Sequence, residues 1–170
     1  MFREPEIGDC FVASFNLLMH GESYIDFREE RKPGSKWDSL REILEVFPHH
    51  YLAHGVVWNG HKMGWMTHAW VEVYEELGPK SLNASALVID LSSKRFLVME
   101  RGNYYALAKM DFPPVTYTQE KALAQVMDDP TYGPWEVERT ELDKEHEAEM
   151  ARKGKIKYDE NGDVEYIPGG

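Results

Sequence analysis

The sequence predicts an α+β fold built on a mainly antiparallel sheet. Three observations lead there: two stretches of helical apolar spacing near the N-terminus, a change to strand-like runs around Asn59-Gly60, and a return to helical spacing after Thr118. Asp9 stands as an N-cap before Cys10 to His20, where Phe11, Phe15, Leu18 and Met19 recur at helical intervals and Gly21 closes the segment. The polar stretch from Arg28 to Gly34 reads as a loop. Ser35 then caps a second helix with the stripe Trp37, Leu40, Ile43, Leu44 and Phe47, stopped by Pro48.

Val56-Val57-Trp58 runs into Asn59-Gly60, a strong hairpin signal, and a second strand continues from Trp65 to Tyr74. A loop centred on Gly78-Pro79 leads to two short strands, Ala86 to Leu91 and Phe96 to Met99, joined by Ser92-Ser93-Lys94-Arg95. Tyr104 to Met110 is expected to add a further strand. Thr118 caps a helix over Gln119 to Met127, which Pro130 and Gly133-Pro134 end. Glu136 to Lys153 reads as an exposed acidic helix with few apolar anchors. Lys155 to Ile167, with Asn161-Gly162 between alternating residues, reads as a terminal hairpin.

Composition narrows the function classes. A length of 170 residues suits one domain, and 42% apolar with 12% aromatic residues suffices for a packed core. Thirty acidic residues against nineteen basic give a net charge of −11. That field repels nucleic acid and anionic membranes, and no basic patch offsets it, so neither is an expected partner. No apolar run reaches membrane-spanning length, and the opening Met-Phe-Arg-Glu-Pro-Glu lacks an apolar signal core. The expectation is a soluble, cytoplasmic protein. Its single cysteine, Cys10, excludes an internal disulfide and a thiolate-built zinc site.

Three segments carry chemistry. Cys10 opens a helix, where unpaired backbone N–H groups and the positive end of the dipole favour a thiolate and can donate to an oxyanion. In Thr67-His68-Ala69-Trp70-Val71-Glu72-Val73, strand alternation puts His68, Trp70 and Glu72 on one face and the small apolar residues on the other. In Leu87-Val88-Ile89-Asp90-Leu91 a carboxylate interrupts an apolar run, and burial of Asp90 requires a partner. A register that opposes Ala69 to Ile89 and Val71 to Leu87 keeps the apolar side chains on one face and brings His68 opposite Asp90. A thiol, an imidazole and a carboxylate so arranged are the minimum for nucleophilic catalysis: Cys10 attacks, His68 moves the proton, and Asp90 orients the ring. Trp58 and Trp70 are candidate substrate contacts, although large aromatics beside a sheet more often serve packing. Glu72 is either a support for His68 or an exposed carboxylate.

Gly8-Asp9-Cys10-Phe11, His68-Ala69-Trp70-Val71-Glu72 and Val88-Ile89-Asp90 together resemble the papain-like cysteine enzyme superfamily, and most closely its transglutaminase-like branch. The resemblance spans roughly Gly8 to Met99. It implies an α+β core with the N-terminal catalytic helix packed on an antiparallel sheet, a Cys10–His68–Asp90 triad, and a covalent thioester. It also implies a protein, peptide or small amide or acyl substrate, hydrolysed or transferred. Residues 1–135 are accordingly the catalytic domain and 136–170 an acidic helical and hairpin appendage. Two features depart from papain proper. Its histidine follows the cysteine by about 130–150 residues, far more than here, and its oxyanion glutamine is replaced by Glu4.

Two other classes compete. The same fold with a silent Cys10 would be a binding module. His49, His50, His54, His61 and His68 invite a metal site, but Pro48 and the strand pattern after Gly55 argue against the helix that would align His50 with His54. No His-Glu-x-x-His signature occurs. No metal or other cofactor is expected.

Overall fold

A computed structural model describes residues 10–31, 33–34, 36–76, 86–91, 96–154, 156–158 and 164–166. The capping roles of Asp9 and Ser35, the loop at Gly78-Pro79, the connection 92–95, Glu4 and the turn at Asn161-Gly162 lie outside the described residues. Among those described, the fold is α+β, with five helices and a five-stranded antiparallel sheet.

The first helix, α1 (Cys10–Arg31), is longer than the apolar spacing before Gly21 suggests. Gly21 takes φ +38° and kinks it rather than ending it. The segment expected to loop from Arg28 remains helical to Arg31, because Tyr24, Ile25 and Arg28 form a buried stripe of their own. Helix α2 (Lys36–Val46) buries Trp37 and Leu40, and its Arg41 binds Asp26 and Glu29 on the second half of α1.

Strand β1 (His49–Asn59) begins at His49, well before Val56, and pairs along its whole length with β2 (Gly64–Tyr74). The hairpin loop holds four residues rather than two: Asn59 pairs with Gly64, and the Asn59 Oδ1 accepts from the His61 and Lys62 N–H groups to shape the turn. Strands β3 (Ala86–Leu91) and β4 (Phe96–Glu100) follow. The expected strand from Tyr104 is instead helix α3 (Arg101–Leu107), with Tyr104 and Ala108 buried one turn apart. A short strand, β5 (Val115–Tyr117), joins the far edge of β1, and Thr118 caps helix α4 (Gln119–Asp128) through the Lys121 N–H.

The acidic segment becomes helical at Glu141 rather than Glu136: α5 (Glu141–Arg152) starts behind the capping box of Thr140 and Asp143. The C-terminal hairpin forms as β6 (Ile156–Tyr158) and β7 (Val164–Tyr166). The order in the main sheet is β4-β3-β2-β1-β5.

Alternation gives each sheet face its own core. Leu52, Val71, Val73, Ile89, Leu91 and Tyr117 pack beneath α1, α2 and α4, and Ala53, Val57, Trp70 and Val88 pack beneath α3. The β2–β3 register differs by two residues from the expected one: Val71 opposes Ile89 and Val73 opposes Leu87. A two-residue shift preserves the faces, so the apolar pattern is satisfied equally in both registers.

Candidate functional site

Even with the shifted register, His68 and Asp90 share a face and meet on a diagonal, within reach of a long side chain. His68 Nε2 lies 3.0 Å from Asp90 Oδ1 and 2.9 Å from Oδ2. The Tyr104 hydroxyl, brought in by α3, donates to Asp90 Oδ2 at 2.7 Å. Asp90 has no exposed surface and His68 is 7% exposed. A buried carboxylate with an imidazole and a phenol as donors meets the requirement that buried charge be paired.

Cys10, the first residue of α1, adjoins the imidazole. β3 pairs with β2 only from Val71 to Tyr74, so among the described residues the stretch of β2 that bears His68 has no strand on that side. The ring is therefore reachable from the helix layer. Burial alone would disfavour the charged ring. The negative charges of Asp90 and then Cys10 outweigh it and hold His68 well above the ordinary histidine range. His68 Nδ1 is buried with no partner in hydrogen-bond geometry, while the Cys10 thiol stands near enough to the ring to strengthen its hold on the proton. Thiol–imidazole bonds are often long until substrate binds. Cys10 itself is 3% exposed, so a substrate reaches the sulfur only after local movement.

The remaining expected site residues are placed differently. Trp70 has no exposed surface; its indole N–H donates to Glu72 Oε2 at 2.8 Å, and its ring packs against His68 and Tyr104. It supports the imidazole and offers a ligand no surface. Trp58 lies at the hairpin end of β1, against Trp65 and beneath the Lys109 ammonium. Glu72 is fully buried, which removes the exposed alternative. It also accepts from the Tyr74 and Tyr105 hydroxyls, and burial first, then the Glu72 charge, pushes both phenols up.

The histidines do not converge. His54 projects to the opposite face from His68, is fully buried among Phe11, Tyr117 and Trp135, and is pushed down to about 3 by that burial. His50 Nε2 lies 2.6 Å from the Phe47 carbonyl, and His61 is exposed at the turn. Among the described residues, no three His, Cys, Asp or Glu side chains group as metal ligands would. No helix among them is long and apolar enough to cross a membrane.

Sequence reasoning missed Tyr104 as a donor to Asp90. The spacing gave no signal, because positions 104 and 108 share a face in a strand as they do in a helix. Compared with family models, curated proteins and solved structures, the chain finds no match.

Proposed function

We propose that this chain is a cysteine-dependent acyl-transfer enzyme of papain-like, transglutaminase-like type, an amide or peptide hydrolase or an acyl transferase. The observation that carries this is the imidazole held through Nε2 by a buried carboxylate, with a thiol at a helix N-terminus beside the same ring. In the proposed reaction the Cys10 proton passes to His68 and the sulfur attacks the substrate carbonyl. In this reading backbone N–H groups at the start of α1 stabilise the oxyanion. The tetrahedral intermediate collapses with His68 giving its proton to the leaving group, which leaves a thioester on Cys10. Water or an amine then attacks that thioester with His68 again accepting the proton. The two outcomes, hydrolysis and transfer, share every step up to this point. Asp90 stabilises the imidazolium and fixes which ring nitrogen faces the sulfur, while Tyr104 and the Trp70–Glu72 pair keep Asp90 and the ring in place.

A silent binding module is favoured by one observation, the near-complete burial of Cys10. Iodoacetamide alkylation separates the two. The enzyme predicts rapid modification of Cys10 well below pH 8 and a strong slowing in His68→Ala. A binding module predicts a rate that rises only near the free-thiol value of about 8.5 and ignores His68.

A further inference from the structure

The edge of β2 leading into His68, left without β3, is occupied by the first turn of α5. The Thr140 hydroxyl donates to the Trp65 carbonyl at 2.6 Å. The Asp143 carboxylate accepts from the Thr67 N–H, 3.1 Å from each oxygen, and from the Thr67 hydroxyl at 3.0 Å. It also accepts from the Thr140 N–H at 2.7 Å, and the Thr140 oxygen accepts from the Asp143 N–H at 3.2 Å. Leu142 packs over Gly64, and Lys62 at the hairpin turn faces Glu149. The capping box requires only the reciprocal bonds between Thr140 and Asp143. The bonds to Thr67 and Trp65 are additional, and they supply what a neighbouring strand would: an acceptor and a donor for the outward backbone groups of an edge.

We propose that Asp143 is a positioning residue for the Cys10–His68 pair, acting through Thr67 to fix the strand edge from which the imidazole projects. This rests on the acyl-transfer function proposed above and makes α5 a working part of the catalytic unit. Thr67 precedes His68 in the chain, so tilting its peptide plane swings the ring. Without Asp143 the Thr67 N–H turns to water and the strand loses its lateral anchor.

The test is the pH profile of Cys10 alkylation by iodoacetamide in the full chain, for wild type, Asp143→Ala, Asp143→Asn and Thr67→Val. A displacement of about 1 Å costs up to roughly a hundredfold in such geometry. Asp143→Ala is therefore expected to slow alkylation at pH 6 by about tenfold or more, with the rate at pH 9, where any thiol ionises, nearly unchanged. Asp143→Asn, which keeps an acceptor for the Thr67 N–H, should recover part of the loss. Thr67→Val should show a smaller loss of the same shape. If circular dichroism shows that Asp143→Ala unfolds, its thiol reacts as a free one whatever Asp143 does, slow at pH 6 and fast at pH 9, and Thr67→Val then decides. A wild type reactive below neutrality with unaltered profiles in the variants that fold overturns the positioning role and leaves the enzyme standing. A wild type that titrates as a free thiol removes the enzyme itself, and the positioning role with it.

Discussion

The Tyr104 hydroxyl reaches Asp90 where both groups are buried, so its loss removes one donor from a buried carboxylate. A hydrogen bond to a charged group contributes about 1.5–3 kcal/mol. Tyr104→Phe should lower the unfolding free energy by about that amount in urea titrations, while the His68–Asp90 bond survives. His68→Ala should cost stability as well, because it takes the imidazole donor from a fully buried carboxylate, and on the proposed function it also removes the group that moves the proton. General acid–base catalysis contributes about 10²–10⁴-fold, and turnover of an activated ester should fall within that range. Equal turnover in His68→Ala and wild type would contradict the assigned role.

At the scale of elements, Gly55 of β1 opposes His68 of β2. A Cβ on Gly55 would lie 2.8 Å from Trp70 Cη2 and 3.1 Å from Met110 Cε, so the missing side chain makes room for the indole that backs the imidazole. Gly55→Ala should cost about 1–3 kcal/mol by overpacking, lowering the melting temperature by roughly 2–4 °C per kcal/mol. It should also slow Cys10 alkylation, because Trp70 moves toward His68. An unshifted melting temperature would show that the indole has slack. The strands themselves were legible, since alternation in Thr67 to Val73 and Leu87 to Leu91 fixes which residues share a face. Alternation fixes only parity, however, and the long connection between β2 and β3 supplies no turn chemistry to choose between registers two residues apart. Helix α3 was missed because Tyr104 and Tyr105 suit strands by propensity, and packing of Tyr104 and Ala108 against the sheet overrides that preference. Asp143 carries no local sign of its second role. Its bonds to Thr67 join segments 76 positions apart, and only its capping function can be read from Thr140 and Asp143 alone.

For the whole molecule, the two buried histidines oppose each other in their dependence on pH. His54 is held at about 3 against an ordinary 6.5, so the unfolded chain takes up its proton first as pH falls. Its contribution is complete above about 6.5 and is lost on acidification toward 3, amounting to about 2 kcal/mol by pH 5. His68 is raised above 6.5, so its contribution is complete below that value and is lost as pH rises through its folded-state pKa. Together they predict greatest stability near pH 6.5. Urea titrations from pH 4 to 9 should show this, and His54→Leu should flatten the acid side. An acid limb equally steep in His54→Leu would place its origin elsewhere.

The proposed function stands or falls on a thioester formed on Cys10 with His68 as the proton carrier. Intact-mass spectrometry after brief exposure to p-nitrophenyl acetate tests it most directly, comparing wild type, Cys10→Ala and His68→Ala. One acetyl group is expected on the wild type at neutral pH, mapped to Cys10, with none in Cys10→Ala and a strongly slowed appearance in His68→Ala. Acetylation that maps away from Cys10, or proceeds as fast without the imidazole, would contradict it.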